Sequence, residues 1–221
     1  MKQKDNQNTF KEEFNITKTD LLSIPNIICY IRLLLIPVFV VLYIKAETTK
    51  EYLIAGSVVL VAGSTDFLDG FIARKYDMVT EFGKLLDPVV DKLMQAALLF
   101  VLIIEIDYMY ILAAIFFIKE VVMAIAGYIF IKKGKKLDGA KWFGKVSTAV
   151  FYASMLILIM FPGLHNTVIS YLLMIICGFF LILSFVLYGR EYYYMYKEAK
   201  EEVKELKANS RWLLFIIYVL V

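Results

Sequence analysis

Cysteine and histidine are almost missing from this chain of 221 residues, which holds two of the first and one of the second. Cys29 and Cys177 lie far apart, each inside an apolar run. Two such thiols make neither a disulfide framework nor a zinc site, and they are expected to be small buried hydrophobes. The single histidine, His165, falls in a short polar turn and is expected to be solvated. An excess of one charge sign is also lacking: the formal net charge is +3, and charged residues make up 20% of the chain. No short apolar stretch with a small-residue cleavage site follows the polar first 22 residues, so no cleavable signal peptide is expected. No internal repeat is visible, and no alternating segments of the kind that build a membrane β-barrel.

What the chain has is apolar length. Hydrophobic residues make up 61% of it and the mean hydropathy is +0.70, against about 45–50% apolar in soluble domains. Such an excess excludes a disordered chain, a coiled coil and a small secreted scaffold, and it is too large for one water-soluble core. A spanning helix needs about 20 mostly apolar residues. Six unbroken runs qualify, near 27–45, 51–72, 87–106, 108–131, 143–164 and 167–188. They predict an all-α integral membrane protein: a six-transmembrane-helix bundle with a polar site facing the cytoplasm and surface or juxtamembrane helices at both termini. Residues 1–23 form a polar juxtamembrane segment, 24–188 the membrane domain, and 189–221 a charged helix with a short apolar tail. Pro25 stands where a first helix would start.

Lysine and arginine set the orientation. Arg74, Lys75 and Lys84 lie between spans two and three, and Lys132, Lys133, Lys135, Lys136 and Lys141 between spans four and five. Arg190, Lys197, Lys200, Lys204 and Lys207 follow span six. The opposite loops hold only Lys45 and Lys50. The positive-inside rule therefore places both termini and the 73–86 loop in the cytoplasm of a multi-pass cell-membrane protein.

Four aspartates gather at that cytoplasmic end. Asp66 and Asp69 are spaced i,i+3 at the end of span two, and Asp87 and Asp91 i,i+4 at the start of span three. Each pair shares a helix face, and the two helices are antiparallel neighbours joined by one loop. Acids near the hydrocarbon boundary are costly and point to function. Few basic residues lie close to them in sequence, Arg74 and Lys92 among them. All-oxygen donors suit Mg²⁺ or Mn²⁺, and magnesium commonly joins a few carboxylates to substrate phosphates. One such ion, or two, is expected. Gly56, Gly63 and Gly70 recur every seven residues along span two. Gly56 and Gly63 are expected to serve close helix packing, and Gly70, beside Asp69, to keep bulk away from the bound group.

The complete run reads Asp66-x2-Asp69-Gly70-x2-Ala73-Arg74-x8-Gly83-x3-Asp87-x3-Asp91. It resembles the signature of the CDP-alcohol phosphatidyltransferase family. Ile24-Pro25-Asn26, followed by Arg32 and Pro37, and the segment Gly144-Lys145-Val146-Ser147-Thr148 resemble the bacterial members that make phosphatidylglycerophosphate. The resemblance covers residues 24–188. It implies six helices, a homodimer, and a site open to the cytoplasm and the inner leaflet. It also implies transfer of the phosphatidyl group of CDP-diacylglycerol to an alcohol with release of CMP. On it, Asp66, Asp69, Asp87 and Asp91 are metal ligands and Asp91 is also the proton acceptor. Asn26, Cys29, Gly70, Ala73, Arg74, Thr80 and Gly83 fall on CDP-lipid-contacting positions.

The acceptor is expected to be anionic. The lysines near 132–145 face the same side as the acids, with Lys145 the leading phosphate contact and Arg32, Lys135 and Lys141 beside it. Glycerol 3-phosphate is the first choice. Lys119-Glu120 in mid-span four, followed by Gly127-Tyr128, is similar to eukaryotic-type cardiolipin synthases of the same family, and Cys29 stands where the bacterial members have threonine. Phosphatidylglycerol is therefore the second choice. No nucleic-acid partner is expected. A membrane prenyltransferase would show other aspartate spacings, and a cation transporter would show repeats and broken midplane helices.

Overall fold

The computed structural model describes the backbone over residues 23–75, 80–132 and 141–220, with the side chains of these residues except 66–74, 81, 84, 85, 131, 132, 199 and 202–220. Among the described residues there are six α-helices and no strand: α1 Ile24–Ile44, α2 Thr49–Lys75, α3 Glu81–Ile103, α4 Met109–Lys132, α5 Trp142–Met160 and α6 Val168–Leu220. A 3₁₀ turn, Pro162–Leu164, links the last two.

Local chemistry explains where the boundaries differ from the apolar runs. Pro25 occupies the first turn of α1, where its missing N–H costs nothing, so the helix starts at Ile24. Helix α3 starts at Glu81, not at the first apolar stretch near 87, because Thr80 caps it: the Thr80 side chain is an acceptor for the Gly83 amide at 3.0 Å. Helix α6 runs through Gly189 and joins the sixth apolar run to the charged stretch after it. A helical glycine costs about 1 kcal/mol relative to alanine. Here it is flanked by side chains that tie the helix down. Tyr188 packs edge-on against Phe143, Tyr192 stacks on Phe130, and Glu191 pairs with Lys141 at 3.4 Å.

Among the described residues four helices are long and apolar enough to cross a membrane: Ile24–Ile44, Met109–Phe130, Trp142–Met160 and Val168–Glu198. Large apolar side chains stand exposed along them, among them Leu34, Ile118, Ile175 and Phe179, as lipid-facing surfaces require. The chain is an all-α membrane protein. Six spans were expected. Four of those six runs have that character among the described residues, and α2 and α3 carry the acidic and basic residues of the 66–92 region.

The chain divides into two compact units. In the first (residues up to 113 with 152–173), Ala55, Val59 and Ala62 form the buried stripe of α2. The expected glycine stripe is only half right. A Cβ on Gly56 would collide with Met160, but one on Gly63 would meet nothing within 4 Å among the described residues. At one end of this unit Glu105 gathers three turns. Tyr43 donates to it at 3.2 Å, His165 Nδ1 lies 3.0 Å from it, and Asn166 spans the Glu105 carbonyl and the Asp107 amide. Asn166 has φ 55°, a conformation asparagine tolerates well. His165 is therefore not solvated: its side chain is 10% exposed and its Nε2 faces the Leu158 carbonyl at 2.9 Å. In the second unit (114–151 with 174–221), Phe116 stacks on Phe151, and Gly144 gives the Tyr188 ring room to approach α5.

Candidate functional site

The first unit assembles the site from α1, α3 and α5. Asn26 sits on the first turn of α1, buried to 2% exposure, and its Nδ2 donates to Thr80 Oγ1 at 3.1 Å. The same oxygen is the acceptor for the Gly83 amide. Three residues that the sequence marks as CDP-lipid contacts, 26, 80 and 83, thus meet at one corner. The oxygen accepts twice, which leaves the Thr80 O–H to donate. Gly83 has a steric reason as well. A Cβ there would lie 2.5 Å from Asn26 Oδ1 and 3.0 Å from Thr80 Oγ1. Gly83→Ala should therefore break the Asn26–Thr80 bond and raise the KM for CDP-diacylglycerol about tenfold. That corresponds to roughly 1.4 kcal/mol, within the ordinary range for a disrupted buried hydrogen bond. Steady-state kinetics with purified protein checks it.

Two turns along α1 from Asn26, Arg32 is also buried, and its guanidinium Nη1 pairs with Asp87 Oδ1 at 3.1 Å. Arg32 was expected at the acceptor. The structure sets it on one of the four acids, as a cation that sequence proximity does not reveal. Cys29 is buried between them on the same helix. One turn beyond Asp87 on α3, Asp91 Oδ1 accepts a hydrogen bond from the Tyr152 hydroxyl at 2.7 Å. Tyr152 lies on α5 and was not anticipated: it is one of 15 tyrosines, in no motif. Lys92 turns to Gln95 at 3.1 Å.

The acids differ from a plain structural ion-pair cluster. Arg32 Nη1 lies against Oδ1 of Asp87, and the Asp87 side chain remains 51% exposed. Both described contacts use Oδ1, so Oδ2 of Asp87 and of Asp91 can serve a further partner. Hard oxygen donors of this kind fit Mg²⁺ or Mn²⁺. No cluster of three or more ligating side chains occurs among the described residues. Asp66, Asp69, Gly70, Ala73 and Arg74 ride on the last turns of α2, and their side chains lie outside the described residues, as does Lys135 altogether.

In the second unit, Lys145 stands exposed on the first turn of α5, near the ion-paired Lys141 in sequence. Ser147, a turn later, is buried to 2% exposure, and its hydroxyl has no hydrogen-bond partner among the described residues. Lys119 and Glu120 pair at 2.8 Å, both largely buried in the apolar stretch of α4. That neighbour pairing neutralises two charges that would each be expensive there.

Comparison with known proteins agrees with the geometry. The family model described as CDP-alcohol phosphatidyltransferase matches residues 22–187. A Pseudomonas fluorescens protein named CDP-diacylglycerol–glycerol-3-phosphate 3-phosphatidyltransferase is 30% identical over 196 residues, which cover 86% of this chain and all of that protein. Similarly named proteins from Escherichia coli K12 and Rickettsia typhi are 33% and 41% identical. The matched stretches cover 57% and 33% of this chain, and 70% and 40% of the relatives.

Proposed function

The chain belongs to the CDP-alcohol phosphatidyltransferase family, and we propose that it makes phosphatidylglycerophosphate by transferring the phosphatidyl group of CDP-diacylglycerol to glycerol 3-phosphate. The observation that carries this is the similarity along the whole length of the Pseudomonas relative, joined to an unbroken Asp66-to-Asp91 signature.

The chemistry is an in-line displacement at phosphorus. The acceptor hydroxyl oxygen bonds to the phosphatidyl phosphorus. The bond from that phosphorus to the oxygen bridging to CMP breaks, and CMP leaves with that oxygen. Asp66, Asp69, Asp87 and Asp91 would hold two Mg²⁺ or Mn²⁺ ions, which supply charge neutralisation for the pyrophosphate and the leaving CMP. Arg32 keeps Asp87 in place from the buried side. Arg74 provides a guanidinium for phosphate oxygens. Asn26, Thr80 and Gly83 shape the nucleotide-lipid corner, and Cys29, Gly70 and Ala73 are assigned to the same substrate on the family signature. Asp91 takes the proton from the acceptor hydroxyl. Lys145, with Lys135 and Lys141, draws in the acceptor phosphate.

Purified protein offered CDP-diacylglycerol and a panel of alcohols should release CMP with glycerol 3-phosphate and yield a product of the mass of phosphatidylglycerophosphate. A cardiolipin mass from phosphatidylglycerol would shift the assignment to that acceptor. In the same assay Lys145→Ala should raise the KM for glycerol 3-phosphate about tenfold, with little change for CDP-diacylglycerol. An unchanged acceptor KM returns Lys145 to a role in topology alone.

The site and both termini belong on the cytoplasmic side, where CDP-lipids and CMP are found. The lysine distribution supports this orientation, with six spans. In intact cells a membrane-impermeant thiol reagent should label Asn166→Cys and spare Lys135→Cys. External labelling at 135 would refute the orientation.

A further inference from the structure

We propose that Tyr152 is a positioning residue for the transfer step, holding the Asp91 carboxylate so that its other oxygen meets the acceptor hydroxyl. This rests on Asp91 being the proton acceptor, as set out above. Tyr152 Oη lies 2.7 Å from Asp91 Oδ1, the length of a well-formed O–H···O bond, and one to a carboxylate is among the stronger kinds. Rotation about the last side-chain bond of an aspartate is broad and nearly two-fold, so an unheld carboxylate samples many planes. A single strong donor removes that freedom: Oδ1 takes the phenol, and Oδ2, which keeps two lone pairs, is left for the incoming hydroxyl beside its proposed ligand role.

The donor comes from the middle of α5, 61 positions away in sequence, while Asp91 sits on α3. Asp87 shows the same design one turn earlier, with Oδ1 held by Arg32 from α1. Each of the two described acids thus has one oxygen fixed by a side chain from another helix. Proton transfer needs donor and acceptor within about 2.6–3.2 Å, and small misplacements are expensive in rate. A plain tie between α3 and α5 would have a different signature: lower stability, with turnover by each folded molecule unchanged.

The test is a double-mutant cycle with Tyr152→Phe, which keeps the ring and removes the hydroxyl. Its kcat at saturating substrates and metal should fall about tenfold, with the KM for CDP-diacylglycerol within twofold of the parent. In the Asp91→Asn background, Tyr152→Phe should have no further effect, because residues that act through one another are not additive. Insertion of 4-aminophenylalanine at position 152, which returns a donor to the same ring, should recover most of the loss and also covers the case of a poorly folding phenylalanine variant. An unchanged kcat in Tyr152→Phe, or an equal loss with and without Asp91→Asn, overturns the proposal. Failure of the base assignment is seen separately, in Asp91→Asn alone: if excess metal rescues that variant fully, there is no base for Tyr152 to position. Absence of CMP release from the unmodified protein would instead refute the proposed activity.

Discussion

EDTA should abolish CMP release from CDP-diacylglycerol, and Mg²⁺ or Mn²⁺ should restore it; the loss is expected to exceed about 100-fold. The expectation comes from charge. Four acids lie on the facing ends of α2 and α3. The cation described against them is Arg32, whose Nη1 lies against Oδ1 of Asp87. A pyrophosphate brought to such a place meets repulsion unless divalent ions intervene. Held by these carboxylates, divalent ions would supply the charge neutralisation that reverses that repulsion, a contribution of several kcal/mol, and about 2.7 kcal/mol already equals 100-fold. A second readout is independent of turnover. Metal should raise the thermal unfolding midpoint by relieving repulsion among the acids, and Asp66→Asn with Asp69→Asn should reduce that gain. Full turnover in chelator would refute the metal-clamp mechanism.

Much of the fold was legible because membrane helices announce themselves by apolar length. All six runs lie in helices whose ends differ by about six residues or fewer, except that α6 continues to Leu220. The displacements follow contacts that periodicity cannot see. Thr80 starts α3 early through a cap, and α6 passes Gly189 because Tyr188, Glu191 and Tyr192 are each held by a partner distant in sequence. His165 was misjudged for a similar reason. A polar turn looks solvated, but packing brings Glu105 and the Leu158 carbonyl to both ring nitrogens. Gly63 shared the seven-residue spacing of Gly56, yet among the described residues a neighbour stands close to Gly56 and none to Gly63. The buried stripe of α2 is Ala55, Val59 and Ala62, one position away from the glycines.

The site divides along the same line. The i,i+3 and i,i+4 spacings of the aspartates are local facts of helix geometry, and the bond between Asn26 and Thr80 joins two positions already marked as functional. Arg32 and Tyr152 could not be assigned this way. Their partners lie 55 and 61 positions away, and nothing in either residue type says that it will face an acid. The rule that charged groups in membranes need partners required a cation near Asp87, but only tertiary packing names it.

The sharpest expected result separates the four aspartates by their response to metal. Asp→Asn preserves shape and keeps a side-chain oxygen, so Asn at 87 can still accept from Arg32 and Asn at 91 from Tyr152, the two bonds that fix these side chains now. What is lost is a negative charge and nearly all basicity. For Asp66, Asp69 and Asp87, proposed as ligands, the lost charge weakens metal affinity, so raising Mg²⁺ or Mn²⁺ should recover part of the rate. For Asp91, proposed also as base, proton transfer contributes roughly 10²–10⁴-fold, and added metal cannot replace it. Asp91→Asn should therefore bind CDP-diacylglycerol in the presence of metal, yet remain at least about 100-fold slow in kcat at saturating metal. Turnover of all four variants, measured across a metal titration beside direct binding of the nucleotide-lipid, decides between the roles. If high metal rescues Asp91→Asn as well as Asp66→Asn, Asp91 is a ligand alone, and the acceptor hydroxyl gives its proton to water or to another group. If none of the four recovers, the division between ligands and base fails, and the carboxylates act as one unit whose charge is needed in full.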